Sequence, residues 1–271
     1  MDAAGAAAPG AAGGPRTLLC VGDSHTEAIL GTDWVGRLAA ATRSKLGVVR
    51  AGKGGQWAVL IRRRLEALLE AHPDADGAVI LAGTNDVIAS LGARKLAFYR
   101  LVFPALRRAE ATLAAYESEM DAMLRALCAP RAGGAAAARR VAVVTLPPAG
   151  EDLTDAANQT VRRYNAALAR VVARYAPAAR LVDFYGACAA HLAAVPGRAP
   201  PPGLPGMSLW WMGFVQGRAL VQRYVLRRGW DYIARYNGLE LLTDHVHLSE
   251  RAGVLLLQAL RPFVDDLVAG G

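Results

Sequence analysis

A serine behind an aspartate, and a distant carboxylate three residues before a histidine, are the residues of this chain with the most chemistry to offer. Ser24 stands in Gly22-Asp23-Ser24-His25, directly after the apolar run Thr17-Leu18-Leu19-Cys20-Val21. Asp244 and His247 lie far downstream in Asp244-His245-Val246-His247-Leu248. Between these ends come a glycine turn, Gly52-Lys53-Gly54-Gly55, and Gly83-Thr84-Asn85-Asp86.

A serine hydroxyl is a weak nucleophile at neutral pH. It needs a base within hydrogen-bond reach, and the base needs a third group to fix its tautomer. With two residues between them in a tight loop, Asp244 can accept from Nδ1 of His247 while Nε2 faces Ser24. His245 adjoins Asp244, but neighbouring side chains in an extended loop point apart, which favours His247 as the base. Attack on a carbonyl also creates an oxyanion, and preorganised donors must hold it. The Ser24 N–H, the Gly55 N–H and the Asn85 side-chain amide are the natural donors. Blander readings exist for each piece: Ser24 as a helix N-cap, Asn85 and Asp86 as turn formers, the glycine run as a bend. Asp86 reads as an anchor for its loop. The phosphate-loop order Gly-x-x-x-x-Gly-Lys-Ser/Thr is absent.

In order and approximate spacing the four blocks resemble those of the SGNH, or GDSL-like, hydrolases, over roughly residues 17 to 268. The resemblance implies a serine esterase with catalytic Ser24, Asp244 and His247 and an oxyanion hole of Ser24, Gly55 and Asn85. It implies a flavodoxin-like α/β fold, a three-layer α/β/α sandwich around a mostly parallel five-stranded sheet. Two positions depart from the pattern. His25 replaces the usual leucine, and the asparagine often found shortly before the block-two glycine is absent, its place taken by Arg50 or a neighbour, which leaves Gly54 as the alternative to Gly55.

The elements that must position these residues follow from periodicity. Thr17 to Gly22, Val48 to Ala51, Ala78 to Ala82, Val141 to Leu146 and Arg180 to Phe184 read as strands. Trp34 to Leu46, Val59 to Ala71, Ala105 to Leu127 and Asp155 to Tyr175 read as helices between them. Strands alternating with helices imply a parallel sheet covered on both faces. Ligands bind at the carboxyl ends of such strands, where Ser24, Gly55 and Asn85 all fall.

With 271 residues, 54% of them hydrophobic, the chain can bury a sizeable core as a single domain over 16–271. Residues 1–15, dominated by Ala, Gly and Pro, read as a disordered tail. The net charge of +8 comes almost entirely from scattered arginines rather than a compact basic run, so nucleic acid is not an expected partner. Cys20, Cys128 and Cys188 form neither a disulfide framework nor a metal set. They read as buried thiols of a soluble intracellular protein, and no apolar stretch reaches the length of a membrane span. Neither a metal nor a cofactor is expected.

Residues 194–242 are the least ordinary segment. Trp210, Trp211, Met212 and Phe214 precede Arg218, Arg223, Arg227 and Arg228. That order suits a lid over an acyl pocket or an interfacial helix touching lipid, and equally another helix packed on the sheet. The expected partner is a small-molecule ester: an acetylated sugar, a lysophospholipid or another acyl ester. The alternative class is a catalytically inactive binding or scaffold protein on the same fold.

Overall fold

A computed structural model describes residues 16–43, 45–130, 138–197, 199, 201 and 208–270. The predicted tail at 1–15 and most of the Pro/Gly-rich stretch at 196–205 lie outside the described residues.

Five strands, β1 (Arg16–Gly22), β2 (Leu46–Gly52), β3 (Gly77–Leu81), β4 (Arg140–Val144) and β5 (Ala179–Val182), form one sheet in the order β2-β1-β3-β4-β5. Every pairing is parallel. Parallel strands need crossovers, and here helices supply them: α2 (Trp34–Thr42), α3 (Ala58–Ala71), α6 (Leu113–Cys128) and α7 (Ala156–Ala173). Successive side chains alternate faces, so Leu19, Val21, Ile80 and Val143 join one apolar layer while Leu18, Cys20, Leu81 and Val144 join the other. Helices α3, α6 and α7 cover the first face. The second is covered by α2, α8 (Phe184–Ala193) and the C-terminal α11 (Glu250–Ala269). The result is the expected three-layer sandwich.

Several boundaries differ from the sequence reading. The helix expected over Trp34 to Leu46 ends at Thr42, and Leu46 already opens β2, buried against β1. The long helix expected over Ala105 to Leu127 begins later than expected. Pro104 to Leu106 make a 3₁₀ turn, and α6 starts at Leu113, where Thr112 caps it by accepting from the Ala115 N–H. Phe184 begins α8 behind the Asp183 cap instead of ending β5. Six helices are absent from the sequence reading: α1 (Ser24–Glu27), α4 (Thr84–Ser90), α5 (Ala93–Val102), α8, α10 (Trp230–Tyr236) and α11. The 194–242 segment holds α9 (Leu209–Leu220), a π-helical turn over Val221–Val225 and α10. Trp230 and Ile233 of α10 bury against Ala219 of α9, a small core apart from the two sheet layers.

Candidate active site

The chain winds outward from β1 to β2 and then in the other direction through β3, β4 and β5, so the switch point of the sheet lies between the carboxyl ends of β1 and β3. Three connections leave from that edge, and each carries a residue singled out above. β1 ends at Gly22, and Asp23 caps α1 by accepting the His25 N–H at 3.1 Å, so Ser24 is the first residue of a single helical turn. Gly52 ends β2 where α1 crosses it: a Cβ there would lie 2.2 Å from the Glu27 backbone nitrogen. Gly55 follows at φ +72°, with the Phe103 ring 2.3 Å from where a Cβ would stand, so both conformation and space require glycine. Asn85 lies in the first turn of α4, just after β3.

The fourth component arrives from the C-terminal loop. Leu242 and Leu248 pair in an isolated antiparallel bridge, and the Thr243 N–H donates to the His247 carbonyl at 2.7 Å. Inside this loop Asp244 Oδ1 accepts the N–H groups of Val246 and His247 at 3.1 and 2.7 Å. Its Oδ2 lies 2.7 Å from His247 Nδ1, and His247 Nε2 lies 2.9 Å from Ser24 Oγ. A continuous chain of contacts therefore runs from a buried carboxylate through an imidazole to a hydroxyl.

The electrostatics follow from burial and pairing. Burial pushes the Asp244 carboxyl up, but the His247 ring and the two backbone N–H groups outweigh it and hold the group below its usual range. Burial likewise lowers His247, and the Asp244 charge and hydrogen bond outweigh it, leaving the imidazole above 6.5. Burial raises the Asp23 carboxyl to about 6 against the opposing pull of the His25 N–H and of the His247 and Arg64 charges. Its Oδ2 accepts from Asn85 Nδ2 at 3.2 Å. Asp86 is raised by burial to about 8, and its Oδ2 takes the first N–H of α3, that of Ala58, at 3.0 Å.

Donors around Ser24 are unequal. The Gly54 N–H already donates to Glu27 Oε2 at 2.9 Å. No acceptor among the described residues takes the N–H of Gly55 or of Ser24. Asn85 Nδ2 faces Asp23 and the Gln56 carbonyl, 3.1 Å away, while its Oδ1 accepts from the Tyr99 hydroxyl at 2.6 Å. Ser24, Gly55, Asn85 and His247 all border one cavity of about 370 Å³, whose other walls are mainly apolar: Ile29, Ile88, Phe98, Val102, Met212 and Val246.

Of the four residues expected along the pocket from α9, only Met212 borders this cavity, joined by Gly213 and Gln216. Trp210, Trp211 and Phe214 do not: they are 91%, 51% and 57% exposed. The correction has a helical cause, since Met212 and Gln216 are four residues apart and share the inward face, whereas Trp210 and Phe214 share another.

Three contributors were missed. Glu27, one turn after Ser24, ties the Gly54 loop to α1. Tyr99 comes from the unread α5 and is that helix's buried residue. Glu151 is buried and accepts the N–H groups of Glu240, Leu241 and Leu242 at 2.6 to 3.0 Å, fastening the strand that leads to Asp244. Only Glu27 had a local signal, its i+3 spacing from Ser24. His25 is buried next to His247, ring centroids 5.7 Å apart, and burial lowers its imidazole to about 3. Cys20, Cys128 and Cys188 are unpaired thiols, and burial pushes Cys20 up to about 12. Among the described residues no group of three or more His, Cys, Asp or Glu side chains could hold a metal, and no helix is long and apolar enough to cross a membrane.

Such a sheet, covered by helices on both faces and carrying its candidate site at the strand ends, defines an α/β fold of the doubly wound class. The chain belongs to the GDSL-like lipase/acylhydrolase family, whose sequence model matches residues 20–204, and it is accordingly an ester hydrolase. The match includes Ser24, Gly55 and Asn85 and stops before Asp244 and His247. No curated protein matches the sequence. Among solved structures, the chain is similar to an α/β hydrolase enzyme from the metagenome of Lake Arreo, Spain. The identity is 18% and the TM-score 0.59, over 93% of this chain and 96% of that one. An acetylxylan esterase from Geobacillus stearothermophilus is similar at 17% identity and TM-score 0.58, over 92% and 94% of the two chains. At these identities the likeness is one of fold.

Proposed function

We propose that the protein is a serine esterase that cleaves carboxylic esters through an acyl-enzyme at Ser24. The single observation that carries the reading is the contact chain Asp244 Oδ2 to His247 Nδ1 at 2.7 Å and His247 Nε2 to Ser24 Oγ at 2.9 Å. His247 takes the serine proton as Oγ attacks the ester carbonyl, and Asp244 stabilises the imidazolium that forms. The proton then passes from Nε2 to the leaving alkoxide, and the acyl-enzyme is left behind. Water attacks that intermediate by the reverse proton path, releasing the acid and regenerating Ser24.

The oxyanion of each tetrahedral intermediate is held by the Ser24 and Gly55 N–H groups, which no acceptor among the described residues occupies, and by Asn85 Nδ2, which donates to Asp23 Oδ2 and the Gln56 carbonyl and turns one of those protons to the oxyanion. Gly54 is the weaker candidate because Glu27 already takes its N–H. The apolar cavity walls favour an acyl group longer than acetyl over a sugar.

The reading is tested by Ser24→Ala and by labelling with a fluorophosphonate. Turnover of a nitrophenyl ester should fall at least about 10³-fold, and label should attach to Ser24 alone. An unlabelled, inactive wild-type chain with a normal melting transition would instead favour a binding or scaffold role on this fold.

A further inference from the structure

The helix over 209–225 carries apolar residues on its outward side as well as its inward one. Its inward side carries Val215, Ala219 and the buried Gln222, with Gln216 at the cavity. Trp210, Phe214, Val221 and Val225, spaced by 4, 7 and 4 residues, form an outward stripe that is more than half exposed along its length. A helix that only packed on the domain would turn these residues inward and its glutamines outward.

The stripe continues around the mouth of the Ser24 cavity. Phe98 and Gly213 belong both to the cavity wall and to a shallow apolar depression completed by Trp210 and Phe214. Leu101, on the same helix as Phe98, is 76% exposed. The Tyr224 hydroxyl donates to the Ile29 carbonyl at 2.8 Å, joining the π-helical turn to another exposed wall residue of the cavity. Three separate segments thus place bulky apolar side chains in water around one opening, a clustering that scattered surface residues do not produce.

Charge points to the occupant. Residues 93–102 and 209–228 contain no Asp or Glu, yet they carry Arg94, Lys95, Arg100, Arg218, Arg223, Arg227 and Arg228. Exposed apolar side chains on segments whose charges are all basic match a surface with anionic headgroups above hydrocarbon. A second copy of the chain in a two-fold contact would set these arginines against their own counterparts, and it would close the cavity mouth.

We infer that this face docks the protein on anionic lipid surfaces, with the Ser24 cavity opening toward the membrane. The inference deepens the esterase reading by naming a lipid-borne acyl ester as the substrate class, but docking itself does not require Ser24. It is therefore measured on the full chain carrying Ser24→Ala, by co-sedimentation with vesicles of phosphatidylcholine alone or mixed with equal phosphatidylglycerol.

The expected result is binding to the mixed vesicles that weakens as salt rises, and much less binding to phosphatidylcholine. Trp210→Ala combined with Phe214→Ala should lower the partition at least tenfold, by loss of buried apolar area. Arg227→Gln with Arg228→Gln should lower it by about tenfold and flatten the salt dependence. Melting curves check that each variant folds, and Leu101→Gln on α5 serves as an apolar probe on a separate element. Absence of binding to anionic vesicles overturns the inference, as does binding that all three variants leave unchanged. A stable dimer in light scattering that the Trp210/Phe214 variant dissociates, with no vesicle binding, assigns the face to a second copy instead.

Discussion

The Tyr99 hydroxyl donates to Asn85 Oδ1 across 2.6 Å of buried space, and that contact sets which end of the Asn85 amide faces the Gln56 carbonyl and Asp23. The Gln56 carbonyl can only accept, so the nitrogen must lie on its side. Tyr99 stands 14 residues beyond Asn85 on a different helix, and its ring is itself fixed edge-on to Trp57 and stacked on Phe103. Removing the hydroxyl leaves the amide free to turn and present its oxygen to a developing oxyanion. Asn85→Ala should lower kcat by about 10²-fold or more with little change in KM. Tyr99→Phe should lower kcat by about tenfold, and should add nothing in an Asn85→Ala background, because both act through one amide. Additive losses in that double-mutant cycle would separate the two roles.

The pH profile follows from the Asp244 to His247 pair. The buried carboxylate favours the imidazolium, so the His247 pKa stands above 6.5, whereas the neutral ring is the form that accepts the serine proton. For a soluble ester, kcat/KM should therefore rise with pH through a midpoint above 6.5 and then level off. Asp244→Asn removes the charge that raises the pKa, so its midpoint should move down even as the maximal rate falls by several orders of magnitude. A midpoint that moves up would mean another group controls the rise. His247→Ala should be nearly inactive while His245→Ala keeps much of its rate, since His245 has no contact with Ser24 and stands at φ +70° with its carbonyl engaged by the Gly150 N–H.

Glu151 offers a test of how the loop is held. One carboxylate satisfies three successive backbone donors leading into the Leu242 to Leu248 bridge. Charge-assisted contacts of this kind are the strong ones, and a donor left unsatisfied in a buried site costs about 1–3 kcal/mol. Glu151→Ala should lower the melting temperature by several degrees and reduce kcat by displacing Asp244 and His247 together. Glu151→Gln keeps an acceptor for the chain and should fall between that variant and the wild type in both measurements.

His25 should reveal the opposite balance. It occupies the position where the family usually has leucine, it is buried, and neither ring nitrogen has a partner among the described residues. An unsatisfied buried polar ring costs about 1–3 kcal/mol, and the site is enclosed by Trp34, whose indole N–H donates to the His25 carbonyl and not to its side chain. His25→Leu should therefore keep esterase activity and raise the melting temperature by a few degrees, as read by calorimetry. A lower melting temperature would show that the imidazole has a hydrogen-bond role of its own.

Local patterns carried the sheet because each parallel strand is buried on both faces and so reads as a short apolar run, as at Leu18 to Val21 and Val141 to Val144. Glycines and capping residues at the strand ends carried the positions of Ser24, Gly55 and Asn85, which are decided within a few residues of backbone. What lay beyond reach was decided by tertiary contacts. Tyr99 and Glu151 look like any tyrosine on a mixed helix or any glutamate in a loop until distant chain comes to meet them. The 209–225 helix misled for a related reason: its aromatic residues suggested a pocket wall, but helical phase turned Trp210 and Phe214 outward and left Met212 at the cavity. Phase relative to the rest of the molecule is not a property of the segment alone.

Met212 is thus the place to test acyl-chain selection. It borders the cavity beside Phe98 and Val102, on walls with few polar groups apart from Ser24, Glu27, Asn85, Gln216 and His247. If the acyl chain runs along those walls, Met212→Trp fills part of the roughly 370 Å³ available and should penalise octanoyl esters far more than acetyl esters. A contact worth one or two methylenes changes kcat/KM by about 10- to 200-fold, which sets the scale of the expected change in the octanoyl-to-acetyl ratio. Trp211→Ala, by contrast, lies outside the cavity and should leave that ratio near the wild-type value for soluble esters. Equal losses on both esters for Met212→Trp, in a variant with normal melting, would place the acyl chain elsewhere and leave this wall to the alcohol.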